Sequence, residues 1–296
     1  MPTIDRMAKD YLLECSITLT PEAMRWYRQK LDTFCAWAED APLTTPTINR
    51  FLTHLQRTPS VATGAPLSSY TVHGYAQVVK SFVRWAEEND LIAKAPRVTM
   101  PKVEEKVIEV FSEAQIRQML QATHQEETPA LGHRDRAVLL FLLDTGVRAQ
   151  EACSLPLVDL HVEGGWAKVL GKGRREREVS FGQATRVQLL RYLRRYRRGD
   201  VPQVFTGKRG EPLSPSGLDQ MIERVSDWAG IGGVRCSAHT FRHTFAVNFL
   251  ARGGDLYALS RLLGHSSVKT TEIYLRATTA RQVRTAALSL VDQMGV

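Results

Sequence analysis

The residues best suited to chemistry crowd between His239 and Tyr274, in the stretch HTFRHTFAVNFLARGGDLYALSRLLGHSSVKTTEIY. His239, Arg242, His243, His265 and Tyr274 all fall there, inside a run whose Phe241, Phe245, Phe249 and Leu250 repeat at helical spacing. His239 and His243 are four apart and share one helix face. Three readings compete. The histidines could be ordinary core residues. They could bind zinc, but the H-E-x-x-H pattern needs Glu directly after the first His, where this chain has Thr240. Or the cluster could handle a phosphate. Arg242 would then clamp its oxygens, the imidazoles would supply protons and hydrogen bonds, and Tyr274 would be the nucleophile. A serine-hydrolase elbow fails, because Gly264-His265-Ser266-Ser267 is followed by Val268 where Gly is required.

Several elements must carry these groups. Gly253-Gly254 breaks the first helix. Leu256, Leu259, Leu262 and Leu263 build the next, and Gly264 stands where a helix ends on glycine. Upstream, His133 to Asp144 is a strongly apolar helix, followed by Thr145-Gly146-Val147-Arg148. The glycine permits a sharp turn, after which Arg148 starts a short helix with Glu151 one turn on. Taken alone, that is an i, i+3 pair contributing ~0.2–0.5 kcal/mol. From Leu160 to Ser180 the period changes to that of strands, with Gly164-Gly165 as a hairpin turn and Gly171-Lys172-Gly173 as a second. Lys172 is not a P-loop lysine, because Gly173 follows it and Trp166 stands where the first Gly should be. It reads as a charged finger or a solvated turn lysine.

Gln183 to Arg198 reads as a basic helix with Val187, Leu190 and Leu193 inward and Arg191, Arg194, Arg195 and Arg198 outward. Ser214-Pro215 starts a helix that runs through Trp228. After Tyr274, a terminal helix is expected from Arg281 to Met294, with Val283, Ala287, Leu290, Val291 and Met294 as its stripe.

The 296 residues suit two domains of ~100–200 residues each. With 43% hydrophobic and 24% charged residues, real cores are expected. No apolar run reaches the ~18 residues of a membrane span, and MPTIDRMAKD is unlike a signal peptide. The four scattered cysteines predict reduced, buried thiols in a cytosolic protein. Net charge is +8, and its distribution is uneven. Residues 171–198 hold 10 Lys and Arg against two acidic residues, a density that favours contact with a phosphate backbone over a merely solvated face. Residues 1–95 read as helical, with Leu31, Phe34, Cys35 and Trp37 on one stripe and Tyr75, Val78, Val79, Phe82 and Trp85 on another. Thr45 is expected as a cap before Pro46. Residues 96–106, with mixed charge and no apolar period, read as a linker.

Arg148 in TGVRAQE, Lys172 in GKGRRERE, His239 and Arg242 in HTFRH, His265 in LLGHSS and Tyr274 in TTEIY together resemble the tyrosine recombinases, the phage-integrase and Xer-like group of site-specific DNA strand-exchange enzymes. All six catalytic positions are filled in order. Phe241 stands where Leu is usual, and Ser180 where Pro often follows the hairpin. The resemblance implies a mainly α (α+β) fold. Residues 1–95 would be a helical, SAM-like core-binding domain, 96–106 a linker, and 107–296 an α-rich catalytic domain with a small antiparallel sheet, the whole a C-shaped clamp on DNA. It implies that Arg148 and Arg242 neutralise the phosphate, and that Tyr274 forms a 3′-phosphotyrosine. Lys172 would protonate the leaving 5′ oxygen, His239 would serve the phenol, and His265 would bond a non-bridging oxygen. Glu151 and His243 would support the site, and Arg174, Arg175, Arg177, Arg194 and Arg195 would contact DNA. No metal, ATP or other cofactor is implied. The implied partners are double-stranded DNA with a specific site and, through the terminal helix, three further copies in a tetramer, in the cytoplasm on the nucleoid. A type IB topoisomerase-like relaxing enzyme and a non-catalytic DNA-binding protein are the alternatives.

Overall fold

The computed structural model describes residues 3–39, 41–60, 64–104, 108–171, 173, 175–265, 267–275 and 277–278. The chain divides into two compact units, Met1–Lys106 and Val107–Val296. The first is built from α1 (Ile4–Thr18), α2 (Pro21–Ala38), α3 (Thr45–Arg57) and α4 (Ser69–Glu88). Each begins where a hydroxyl accepts from a first-turn N–H that has no helical partner: Thr3 from Arg6, Thr20 from Ala23, Thr44 from Thr47 and Ser68 from Thr71. The cap of α3 is thus Thr44 rather than Thr45. Pro46 takes the second helical position, where its missing N–H still costs nothing. Leu31, Phe34, Ile48, Phe51, Val78, Val79 and Phe82 are fully buried. Trp85 stays half-buried because its Nε1 donates to Glu14 at 2.7 Å.

The second unit starts with α5 (Glu113–Ala122), opened by a capping box between Ser112 and Gln115. Its centre is α6 (Pro129–Thr145), whose Ala137, Leu139, Phe141 and Leu142 are wholly buried. Next come α7 (Ala149–Ser154) and strands β1 (Leu160–His161), β2 (Trp166–Leu170) and β3 (Glu176–Ser180), an antiparallel sheet in the order β1-β2-β3. Ala167 pairs with Val179, and these with Val169 form the buried face. Then follow α8 (Gln183–Arg191), α9 (Pro215–Trp228), α10 (Ala238–Ala251) and α11 (Leu256–Leu263).

The basic helix differs from its expected form. It stops at Arg191, and a π-helical turn spans Tyr192–Tyr196. Its inward face is Thr185, Gln188, Leu189 and Tyr192, while Val187 is 46% exposed. The spacing of Val187, Leu190 and Leu193 is three residues, which drifts off a 3.6-residue face. The true face hid behind polar residues that bond α6: Thr185 donates to Asp144 at 2.6 Å and Gln188 to the His133 carbonyl at 2.8 Å. All four cysteines are free, but only Cys153 is buried. Cys15, Cys35 and Cys236 are half-buried, correcting the expectation of four buried thiols. Among the described residues no helix is long and apolar enough to cross a membrane.

Candidate active site

The turn after α6 sets the site. Gly146 caps the helix at φ 59°, a left-handed conformation that favours glycine, and a Cβ there would collide with the Phe245 ring of α10. The turn buries Val147 completely and launches Arg148 as the residue that caps α7. Glu151, one turn later and only 3% exposed, accepts from the Arg148 backbone N–H at 2.8 Å and from Nη1 at 2.9 Å. Burial alone would raise the Glu151 carboxyl, but hydrogen bonds from Arg177 and Arg148 outweigh it and hold the group below its ordinary value.

Arg242, on α10, is 2% exposed. Its Nη1 donates to the Gly146 carbonyl at 2.8 Å, and its Nη2 donates to the Leu263 carbonyl at 2.7 Å. Arg148 Nη1 reaches that same Leu263 carbonyl at 3.3 Å, and Nη2 the Gly264 carbonyl at 3.4 Å. Two guanidiniums therefore meet at the end of α11. Gly264, at φ 64°, ends that helix and turns the chain into His265. Burial, then the charge of Arg148, lowers Arg242 to about 10, which leaves it cationic at neutral pH.

His265 Nε2 faces Arg242 Nη2 at 3.0 Å, and its Nδ1 faces Thr271 Oγ1 at 2.8 Å. A guanidinium can only donate, so Nε2 accepts and the proton sits on Nδ1. Burial, then Arg242 and Arg148, pushes His265 down to about 4. His243 falls to about 4 through burial, then His239 and Arg242. Both imidazoles are neutral at pH 7. Tyr274, in helical residues that begin at Glu272, is 2% exposed and packs with Val247, Leu259 and Leu263. Its hydroxyl lies 3.0 Å from His243 Nδ1. Burial raises the phenol pKa, with Arg242 opposing.

The structure thus brings Arg148, Glu151, Arg242, His243, His265 and Tyr274 together. His239 is exposed on α10, its ring edge-on to His243 at 4.2 Å between centroids. The resemblance pointed to His239 as the partner of the phenol; the nitrogen that meets it here belongs to His243, one turn further along the same face. Among the described residues no three His, Cys, Asp or Glu side chains are grouped so as to hold a metal ion. Lys172, Arg174 and the segment from Arg281 to Met294, where a terminal helix is expected, lie outside the described residues. Arg175, Arg194 and Arg195 are exposed. Arg177 is not. Its side chain is 12% exposed and bound to Glu151, because the pairing along β3 turns it toward α7 and α11. Thr271, fully buried against His265, and the Leu263 carbonyl had no signal in the sequence.

The profile of the phage integrase family matches residues 109–281. The tyrosine recombinase XerD of Pseudomonas aeruginosa is 32% identical over 290 residues, covering 95% of this chain and 94% of that one. The crystal structure of XerA recombinase aligns over 97% of this chain and 98% of its own, at 25% identity and a TM-score of 0.53. The Tn1549 transposon integrase in complex with circular intermediate DNA, 15% identical, shares the fold over 95% of this chain and 99% of that one, with a TM-score of 0.78. The chain therefore belongs to the phage integrase family. It is a tyrosine recombinase, a site-specific DNA strand-transferring enzyme.

Proposed function

We propose that this recombinase cuts and rejoins double-stranded DNA through Tyr274, with Arg148 and Arg242 as the phosphate clamp. The carrying observation is the convergence of both guanidiniums on one carbonyl, that of Leu263, beside His265 and Tyr274. Each guanidinium keeps N–H groups beyond those bonds, so each can still donate to an oxyanion. Two such forks neutralise the non-bridging oxygens and the charge that builds on them in the transition state. Tyr274 Oη attacks phosphorus, the bond to the 5′ oxygen breaks, and a 3′-phosphotyrosine forms. Lys172 protonates the departing 5′ oxygen. The phenol proton passes to an imidazole. His243 is the one within hydrogen-bond reach in this state, and His239 is its edge-on neighbour. A phosphodiester adds negative charge beside both rings and raises their affinity for that proton. His265 bonds a non-bridging oxygen once the phosphate draws Arg242 off Nε2 and the ring proton moves to that nitrogen. The ester energy is kept in the phosphotyrosine, so rejoining runs in reverse with no ATP.

With Tyr274 2% exposed, attack also requires movement of the segment that carries it. We assign DNA binding to residues 1–95 and catalysis to 107–296, joined by 96–106, with Arg175, Arg194 and Arg195 on the DNA backbone. Four copies assemble on paired sites through the segment from Arg281 to Met294, in the cytoplasm. The test begins with sequencing DNA that is covalently trapped on the protein in cells. The recovered sequence is then built into two duplexes, which are mixed with the protein in the presence of chelator. A recurrent site and strand exchange between the duplexes support the proposal. Random sites with relaxation of supercoils alone would favour a topoisomerase.

A further inference from the structure

Arg177 stands in the most basic stretch of the chain, yet its guanidinium is spent inside the protein. Nη1 and Nη2 donate to Glu151 Oε1 and Oε2 at 2.9 and 2.7 Å, a two-pronged pairing. Nε donates to the Leu262 carbonyl at 2.6 Å. Glycines flank it on both sides. A Cβ on Gly171 would stand 3.3 Å from Nη1, and one on Gly264 3.1 Å from the same atom. Those two glycines leave room for a planar group between the start of the hairpin and the end of α11. The carboxylate it holds is the one that holds Arg148. The carbonyl it holds precedes Leu263, whose own carbonyl receives both Arg148 and Arg242.

We infer that Arg177 is a positioning residue. By fixing Glu151 and the end of α11 it sets where Arg148 presents its remaining N–H groups to the scissile phosphate. The inference rests on the reading of Arg148 as the group that neutralises a non-bridging oxygen. A lysine at 177 would keep the charge but lose the fork, and with it the simultaneous hold on Glu151 and Leu262.

A substrate change separates positioning from plain stability. A methylphosphonate at the scissile position carries a methyl group in place of one charged oxygen, so it needs less from Arg148. Cleavage rates at saturating DNA are measured on the phosphodiester and on the methylphosphonate. The proteins are full-length wild type, Arg148→Ala, Arg177→Lys and Arg177→Met. The ratio of the two rates within one preparation does not depend on how much of it is folded. Arg148→Ala and both Arg177 variants are expected to lose about 10²-fold on the phosphodiester, the size of effect a small misplacement causes. Most of that loss should vanish on the methylphosphonate. If Arg148→Ala recovers while the Arg177 variants stay equally slow on both substrates, Arg177 is structural only and the inference is overturned. If Arg148→Ala itself does not recover, the reading of Arg148 fails and takes the inference with it.

Discussion

Two sets of arginines in the same unit are used in opposite ways. Around Glu151, Arg148 and Arg177 are held by a buried carboxylate, and Arg242 is held by backbone carbonyls, with distances of 2.6–3.4 Å. On α8 and the π-helical turn, Arg191, Arg194 and Arg195 are exposed, and among the described residues no acceptor is paired with them. Density of charge along the sequence does not distinguish these uses. Within the basic block, Arg177, Arg186 and Arg197 all turn inward, Arg186 onto the carbonyls of Val162 and Glu163 and Arg197 onto those of the Gly199–Val204 loop. A fixed guanidinium aims charge at one atom, which suits a transition state. A free one contributes to a field, which suits a polyanion whatever its sequence.

Mutation should separate the two sets. Arg242→Ala removes a fixed group, and cleavage at saturating DNA should fall about 10²–10³-fold, the range for losing one transition-state donor. Binding of a single duplex should change little. A variant that loses affinity but keeps its rate at saturating DNA would mean that Arg242 binds ground state and transition state alike. Glu151→Gln is the next step down. It keeps the shape but removes the counter-charge of two arginines, and about a 10–100-fold loss of rate is expected, as for other partners that orient a site. Its melting temperature should drop as well, because Arg177 is left with a buried, poorly compensated charge. An unchanged rate would show that Arg148 is held by the Leu263 and Gly264 carbonyls without help.

Part of this fixed set is legible in the sequence. Gly146 and Gly264 are, because a glycine after an apolar helix signals a left-handed cap, and both φ values agree. The helices with hydroxyl caps and apolar stripes are legible for the same local reason. The partners of the site are not. Arg177 can be placed on a strand, but no local pattern says which way a strand residue in a short sheet faces when both faces carry charge. His239 and His243 share a helix face, and only the tertiary position of Tyr274 decides which of them meets the phenol. The Leu263 carbonyl is a backbone atom and has no sequence signal at all. The inward face of α8 escapes notice because Thr185 and Gln188 are polar, and pattern reading counts apolar residues.

The exposed set gives the complementary test. Replacing Arg194 and Arg195 together by Ala should flatten the log–log dependence of DNA affinity on salt by about 0.9 for each phosphate no longer neutralised. Cleavage at saturating DNA should not change. An unaltered slope would place this surface away from DNA and leave its charges merely solvated.

The smallest effect concerns pH. His265 is held at about 4 in the folded protein against an ordinary 6.5. Between those values the unfolded chain binds the extra proton, so stability is full above 6.5 and is lost as pH falls toward 4. The melting temperature of the wild type relative to His265→Gln should therefore decrease on acidification through that window. Parallel curves for the two proteins would mean that His265 is already free to protonate in the fold.

Tyr274 is the proposed nucleophile beside the fixed set of arginines. Its hydroxyl bonds His243 and feels the charge of Arg242, yet it is buried and protonated in this state. The direct measurement is peptide mapping of the covalent complex formed on a nicked DNA that releases its 5′ fragment after cleavage. The DNA should be attached through its 3′ phosphate to the peptide containing Tyr274, with a 5′ hydroxyl on the released strand, and Tyr274→Phe should bind the same DNA without forming any adduct. DNA found on another residue, or an adduct that survives Tyr274→Phe, would contradict the assignment of this tyrosine as the nucleophile.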